Sequence, residues 1–180
     1  MHAMTLASVR YGLAALIACA LLCACSPTFD WREARFEGSR LVAMFPCRPD
    51  HDERPVELGG RRMTMRIDAC ATGGATFAVS VVELGDPALA PIAQQALRSL
   101  AVANVKGDPP QAVPWRLAGT TPNADAARIS IRGRLPDGAA IVEHAAFFTQ
   151  GLKVYQASVI GAAPNPEALE TFFAGLKFMP

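Results

Sequence analysis

The amino-acid sequence predicts an α+β fold, a mostly antiparallel β-sheet of about six strands with two main helices packed on it. Three observations lead to this prediction. Several short segments alternate apolar and polar residues, tight Gly-Gly or Pro-Asp-Gly turns separate them, and two segments carry apolar residues at helical spacing. Because such short turns cannot make the long crossovers that parallel strands need, neighbouring strands should be antiparallel.

The first half of the chain contains three predicted strands. Residues 40–45 are mostly apolar and end at Pro46, residues 62–68 alternate strictly, and residues 76–83 pair back onto them. The turns Gly59-Gly60 and Gly73-Gly74 suit hairpins, since both central positions of the preferred turn need a positive φ. The apolar side chains that alternation places on inner faces are Met63, Met65, Ile67, Phe77, Val79 and Val81.

Two segments have the start signals of helices. Asp86-Pro87 can cap a helix that runs to about Asn104, and Asn165-Pro166 can cap a second one near the end of the chain. The apolar residues that recur at helical spacing are Leu89, Ile92, Ala96, Leu97 and Leu100 in the first helix and Leu169, Phe172, Phe173 and Leu176 in the second.

The segment between the helices predicts the remaining strands. We expect a short strand over 113–117 and longer strands over 127–135, 140–149 and 153–160. A Pro-Asp-Gly turn at 136–138 joins the second of these to the third. Alternation in the second places Ile129, Ile131 and Leu135 inside.

Composition excludes two broad classes of protein. Hydrophobic residues make up 51% of the 180 residues, and 17 Lys and Arg balance 16 Asp and Glu. A disordered chain is poorer in apolar residues, and a nucleic-acid-binding protein is usually basic. We therefore expect no nucleic-acid partner and one folded domain over 38–180, preceded by an apolar leader.

The leader has the pattern of a secretory signal. Residues 11–24 carry no charge, which fits the apolar region of a signal peptide and is too short to span a membrane. The segment Leu22-Cys23-Ala24-Cys25 resembles the lipobox of bacterial lipoproteins. The resemblance implies a signal peptide over 1–24, acylation of Cys25 and a short membrane tether over 25–37. A plain signal peptide cut near Ala24 is the alternative, and a lipobox ending at Cys23 fits less well.

An acylated Cys25 implies a place in the cell. The protein would be anchored to the bacterial cell envelope by lipid and would face the periplasm, with the membrane as its first partner. In such lipoproteins, Ser26 rather than Asp after the acylated cysteine favours the outer membrane.

Two cysteines remain after the leader and the anchor are set aside. Cys47 and Cys70 are an even pair in an exported domain, which favours a disulfide over a metal site. Closing a loop of this length stabilises a fold by about 3 kcal/mol in the chain-entropy model. The spacing differs from the Cys-x-x-Cys of redox enzymes, so we expect a structural role.

Five segments of the domain resemble the PsbP-like fold family, which includes an extrinsic photosystem subunit and small bacterial envelope proteins. They are residues 41–46, 63–70, 77–82, 153–159 and 172–178. The Trp31-Arg-Glu start and the Phe45-Pro46-Cys47 element are also similar to those of small proteobacterial lipoproteins without an assigned role. The resemblance implies a non-catalytic accessory or assembly module with an envelope protein as partner. No functional residue or cofactor of the family transfers to a position here.

The sequence offers little for catalysis. Glu143 and His144 are adjacent in one strand, so they lie on opposite faces and cannot form a dyad. No Gly-x-Ser-x-Gly elbow occurs, which makes a hydrolase the weakest alternative. Residues 47–53 crowd Cys, His, Asp and Glu, but no second cluster supports a metal site, and a solvated polar loop is favoured. We expect no enzyme activity, metal or cofactor.

Arginines form the main polar pattern. If their strands are neighbours, they make a cationic stripe on the sheet that could bind an anion, a small ligand or acidic head groups. The residues concerned are Arg62 and Arg66 on one strand and Arg128, Arg132 and Arg134 on another. One alternative is a solvated face neutralised by Asp68, Glu83 and Glu143. Another is a helix that covers the arginines and gives each charge a partner.

Overall fold

A computed structural model describes residues 27–123 and 126–180 of the chain. The signal peptide predicted over 1–24 and the acylation predicted at Cys25 lie outside the described residues. Among the described residues, no helix is long and apolar enough to span a membrane.

Ten strands, two α-helices and a short 3-10 helix at Pro87–Leu89 make up the described part of the chain. The strands are β1 (Arg32–Arg35), β2 (Leu41–Phe45), β3 (Asp50–Leu58), β4 (Arg61–Thr72), β5 (Ala75–Glu83), β6 (Gln111–Pro114), β7 (Ala127–Arg134), β8 (Ala140–Gln150), β9 (Lys153–Gly161) and β10 (Lys177–Phe178). The helices are α1 (Ala90–Asn104) and α2 (Pro166–Ala174).

The strands form two sheets. The large sheet has seven strands in the order β3-β4-β5-β9-β8-β7-β6, and the small sheet has three in the order β1-β2-β10. Every pair of neighbours is antiparallel. The α+β class and the antiparallel pairing predicted from the short turns are therefore confirmed, whereas the prediction of about six strands was too low.

Both faces of the large sheet are covered. On one face, here called the α1 face, helix α1 buries Met65, Ile129 and Phe147. On the other, the small-sheet face, α2 and the small sheet bury Phe77 and Tyr155. Since side chains alternate between the faces, the inner strands β5, β8 and β9 carry apolar residues on both sides over much of their length.

The predicted hairpins form as expected. Gly73 and Gly74 both have positive φ and join β4 to β5, and the register pairs Arg66 with Val81. Met63, Met65 and Ile67 pack toward α1. The register therefore places Val81 on the same face as Arg66, so the face that carries the arginines of β4 is also a buried face.

Strand β3 differs from the prediction. Residues 47–53 were predicted to be a solvated loop, but Asp50–Leu58 forms the edge strand of the large sheet. Most of its side chains are exposed on both faces, so the alternation of apolar and polar residues that marks a strand is absent. Charged residues and Pro55 are typical of an edge that does not add further strands.

Two apolar residues that were predicted to be buried, Ile92 and Leu135, are exposed. In α1, Ile92 is 54% exposed, while Ala93, Leu97 and Ala101 are buried against the sheet. Leu135 was predicted to lie inside, yet it follows the last residue of β7 and is 41% exposed. Apolar residues outnumber the positions that the sheet covers, so periodicity alone does not choose the buried ones.

The Asn165 cap and disulfide predictions agree with the structure. The Asn165 side chain accepts a hydrogen bond from the Ala168 amide at 2.9 Å and caps α2. Asp86 accepts one from the Ala88 amide, but it caps the 3-10 helix at Pro87–Leu89, and α1 begins after it at Ala90 without a side-chain cap. Cys47 and Cys70 are joined by a disulfide with a Cα–Cα distance of 5.9 Å. Cys47 follows β2 and Cys70 lies in β4, so the bond connects the small sheet to the large one.

Candidate functional site

A cleft of about 300 Å³ lies between the turn that joins β1 to β2 and the outer strands β3 and β4. We call it the polar cleft. The charged or titratable residues that line it and matter below are Arg35, Glu37, His51, Glu53, Arg66 and Asp68.

Strand register places four of these side chains together. His51 pairs with Asp68 and Glu53 pairs with Arg66, so all four lie on the small-sheet face at the outer edge of the sheet. His51 Nδ1 donates to Asp68 Oδ1 at 2.7 Å. The Asp68 side chain is 10% exposed and that of His51 is 75% exposed. The imidazole therefore covers a largely buried carboxylate at the floor of the cleft.

The turn above the cleft is fixed by a buried tyrosine. The Tyr155 hydroxyl and Ser39 Oγ share a hydrogen bond of 2.8 Å, and Ser39 Oγ also accepts from the Leu41 amide. Burial raises the pKa of Tyr155, which keeps the hydroxyl protonated. A Cβ atom at Gly38 would lie 3.7 Å from Arg66 Nη2, so the Arg66 guanidinium reaches the underside of this turn.

The arginines of β4 and β7 do not form one stripe. Strands β5, β9 and β8 lie between β4 and β7, which at the usual spacing of about 4.8 Å separates Arg66 from Arg128 by about 19 Å. Arg62 is exposed on β4, outside the lining of the polar cleft. The condition for a single stripe, that the two strands be neighbours, is therefore not met, because β5, β9 and β8 pair between them.

Arg128 is instead covered by α2, as one of the sequence alternatives expected. Its guanidinium donates two hydrogen bonds to the Glu170 carboxylate and lies 4.7 Å from the centre of the Phe173 ring. The hydrogen bond from Arg128 lowers the pKa of Glu170. Burial, then the nearby Arg128 charge, lowers the pKa of His144 on the neighbouring strand. These groups hold α2 onto the sheet.

Arg132 and Arg134 lie at the far end of β7, where they line a shallow cleft of about 290 Å³ with Lys106. Arg134 Nη1 donates to the Gly138 carbonyl at 3.0 Å. Arg132 is therefore distant from the polar cleft, and the four arginines predicted as one ligand site, Arg62, Arg66, Arg128 and Arg132, occupy four separate places. Of these four, only Arg66 lines the polar cleft.

Glu143 lies on the α1 face, opposite His144, as the adjacent positions in β8 predict. It was also proposed as a neutralising charge for the arginines, and that is wrong because they lie on the other face. Glu143 is 2% exposed and accepts a hydrogen bond from Gln156 Nε2 at 3.2 Å. Burial raises its pKa to about 7, although the Gln156 hydrogen bond acts in the opposite direction.

Within the described ranges, no group of three or more His, Cys, Asp and Glu side chains could hold a metal ion. Cys47 of the crowded segment is bonded to Cys70, and His51 contacts Asp68. What the segment contributes is one wall of the polar cleft.

Sequence reasoning missed Arg35, Glu37 and the strand that carries His51. One signal could have found the strand. The Gly59-Gly60 turn before β4 requires a partner strand on its other side, and that partner is β3. No comparable signal brings the β1–β2 turn over the cleft, since that contact depends on packing between the sheets.

No family model matches the chain, and no curated protein matches it.

Proposed function

We propose that this chain is a lipid-anchored protein of the bacterial cell envelope whose domain is a non-catalytic accessory or assembly module. It faces the periplasm, at the outer membrane, and binds an envelope protein partner. The anchor is Cys25, on the lipobox resemblance. The further proposal, a PsbP-like domain, rests on segments that form β2, β4, β5, β9 and the end of the chain from α2 to β10.

The observation that carries this proposal is the disulfide between Cys47 and Cys70. Disulfides persist in oxidising compartments such as the periplasm and are rare in the cytosol. The bond links the two sheets, and Cys70 lies two residues beyond Asp68 of the polar cleft along β4. The compartment that forms the bond therefore also joins the two sheets between which the cleft lies. A signal-like leader and a structural disulfide point independently to export.

The polar cleft is the binding surface we propose. It holds charges of both signs at the edge of the large sheet, which suits a protein partner with complementary charges better than a single simple ion. The exposed charges and Pro55 of β3 disfavour pairing with a partner strand. The partner should therefore be recognised through side chains of the cleft.

The anchor is tested with the Cys25→Ala variant. We expect loss of fatty-acid labelling and release from the membrane fraction. Unchanged labelling and fractionation would refute the lipoprotein proposal. Mass spectrometry under reducing and non-reducing conditions tests the disulfide on the same protein, since reduction adds two hydrogens.

The partner is tested by crosslinking in intact cells. Arg66→Glu should abolish the main crosslinked product, because it reverses a charge inside the cleft. Arg62→Glu is the matched control: the same change on the same strand and face, outside the cleft lining. Equal yields from both variants would show that the cleft is not the binding surface. A urea midpoint equal to that of the wild type in each variant confirms that the fold is kept.

A second candidate is a small anion bound in the cleft. Arg35 and Arg66 both line it, and paired guanidinium groups suit phosphate or carboxylate. Calorimetric titration with inorganic phosphate separates the two functions. Heat of binding in the wild type and none in Arg66→Glu would favour the anion binder. No heat in either protein, with a crosslink that depends on Arg66, would leave the partner-binding module.

A further inference from the structure

The beginning of the described chain is held against one end of the large sheet. Thr72 Oγ1 donates to the Thr28 carbonyl at 2.7 Å, and the Asp30 amide donates to the Pro46 carbonyl at 2.8 Å. The Phe29 ring lies over the turn between β4 and β5, where a Cβ atom on Gly73 would come within 2.7 Å of it. The chain is therefore attached to the domain from Thr28 onward.

The attachment limits how far the domain can stand from an anchor at Cys25. Cys25 lies three positions before Thr28, and an extended chain spans about 3.5 Å per position, which gives a reach of about 10 Å. A bilayer that holds acyl chains on Cys25 must then lie against the end of the sheet where Thr28 is fixed.

We call this the tether end of the large sheet. Register places Gly74 beside Gly161 there, because Ala75 pairs with Gly161, and Gly161 pairs in turn with Val142. The turn between β7 and β8 lies at the same end. At the opposite end, Glu83 pairs with Lys153 and the turn at Leu152 joins β8 to β9.

An open apolar groove of about 490 Å³ lies at the tether end. It begins at Thr72, the residue that holds Thr28, and extends across the sheet to the β7–β8 turn. The apolar residues that line it include Ala75, Leu135, Ile141 and Ile160. Leu135 projects at its rim and is 41% exposed.

We propose that the tether end is a membrane-contact surface, on which Leu135 and the rim of the groove enter the headgroup region of the bilayer. This inference rests on the acylation of Cys25 proposed above. The short reach from Cys25 selects the bilayer as the occupant of the groove, and apolar side chains at a membrane interface are stabilised by leaving water. The charged residues nearby are Lys106, Arg132 and Arg134 against Asp108 and Asp137. Three positive and two negative charges leave a net charge of only +1, so the contact is mainly apolar.

The proposed orientation also places the polar cleft. Asp68 and Arg66 lie four and six residues from Thr72 along β4, which corresponds to about 13 and 20 Å at 3.3 Å per residue. The cleft would open sideways at this height above the lipid. A partner anchored in the same membrane could reach it without a long stalk.

The test uses the mature protein, acylated at Cys25, reconstituted into phosphatidylcholine vesicles. Single Leu135→Cys and Leu152→Cys variants carry an environment-sensitive dye, and head-group spin labels serve as quenchers. Leu135 and Leu152 are a matched pair, with exposures of 41% and 40%, at opposite ends of the sheet. Strand β9 alone has nine residues, which separates the ends by about 30 Å.

We expect a blue shift and quenching of the dye at position 135, and neither change at position 152. Equal responses at the two positions, or a larger one at 152, overturn the proposed orientation. Addition of anionic lipid should leave the signal at 135 unchanged, and a signal that appears only with anionic lipid overturns the apolar contact.

Flotation of the same labelled samples separates this inference from the anchor. Protein that floats with the vesicles but gives no signal at 135 refutes only the contact surface. Protein that does not float and carries no acyl chain by mass spectrometry refutes the anchor and the contact surface together.

Discussion

Glu143 gives the sharpest prediction about stability. Its carboxyl group is buried on the α1 face of the large sheet, with Gln156 as hydrogen-bond donor. Arg98, whose guanidinium lies 5.8 Å from the centre of the Phe147 ring, is a charged residue of the helix on that face. The substitution Glu143→Gln keeps the size and an acceptor oxygen for Gln156 but removes the ionisation.

The size of the effect follows from the raised pKa. Burial moves the pKa of Glu143 from 4.5 to about 7. Between these pH values the unfolded chain loses the proton and the folded chain keeps it, so stability falls as pH rises. The slope is about 1.4 kcal/mol per pH unit, and the total loss is about 3 kcal/mol. Below pH 4.5 both states are protonated, and above pH 7 the loss is complete.

Urea denaturation from pH 4 to 8, followed by the fluorescence of Trp31 and Trp115, measures this loss. Glu143→Gln should be close to the wild type at the acid end and more stable by about 3 kcal/mol at the alkaline end. The matched control is Glu57→Gln, the same change at an exposed position of β3, which should follow the wild-type pH curve.

The comparison of Glu143→Gln with the wild type also removes the contributions of other titrating groups to the pH dependence of stability. The lowered pKa of His144 makes stability fall toward acid pH, opposite in sign to the effect of Glu143. That contribution is common to the wild type and the variant and cancels in their difference. If the difference between Glu143→Gln and the wild type did not change with pH, the reasoning from burial to pKa to stability would be refuted.

Three further predictions concern the disulfide, the core and the contact that holds the start of the described chain. Reduction of the disulfide should lower the free energy of unfolding by about 3 kcal/mol, measured as a shift of the urea midpoint with and without reductant. Phe172→Ala should cost about 3 to 5 kcal/mol, because the buried Phe172 ring joins both sheets, and a loss below 1 kcal/mol would contradict that role. Gly73→Ala should raise protease cleavage near Phe29, since the added Cβ meets that ring. Gly74→Ala is its control, with positive φ but no atom within 4 Å, and equal cleavage of both variants would count against the tether contact.

Local signals predicted most of the strands. Where a strand has one apolar face and a glycine-rich turn beside it, as in β4 and β5, the sequence specifies both the strand and its partner. Strand β3 was not predicted, because an edge strand is hydrated on both faces and needs no alternation of apolar and polar residues. Strand β3 forms by backbone pairing with β4, and this pairing imposes no pattern on the side chains of β3.

The sequence predicted the candidate site less well than it predicted the fold. Alternation correctly placed Arg66 and Arg128 on the same face of the sheet, but their separation depends on strand order. That order inserts β5, β9 and β8 between them. Arg128 then meets Glu170 of α2, a residue 42 positions away, while Arg66 meets the turn between β1 and β2.

The sequence by itself determined the antiparallel class, the main hairpins, the helix caps and the cysteine pairing. Each depends on residues close in the chain, on turn chemistry or on an even number of thiols. Only the tertiary structure decided which arginine lines a cleft, which carboxyl group is buried and which end of the sheet holds Thr28. These features depend on contacts between distant elements, and strand order and packing set those contacts rather than local periodicity.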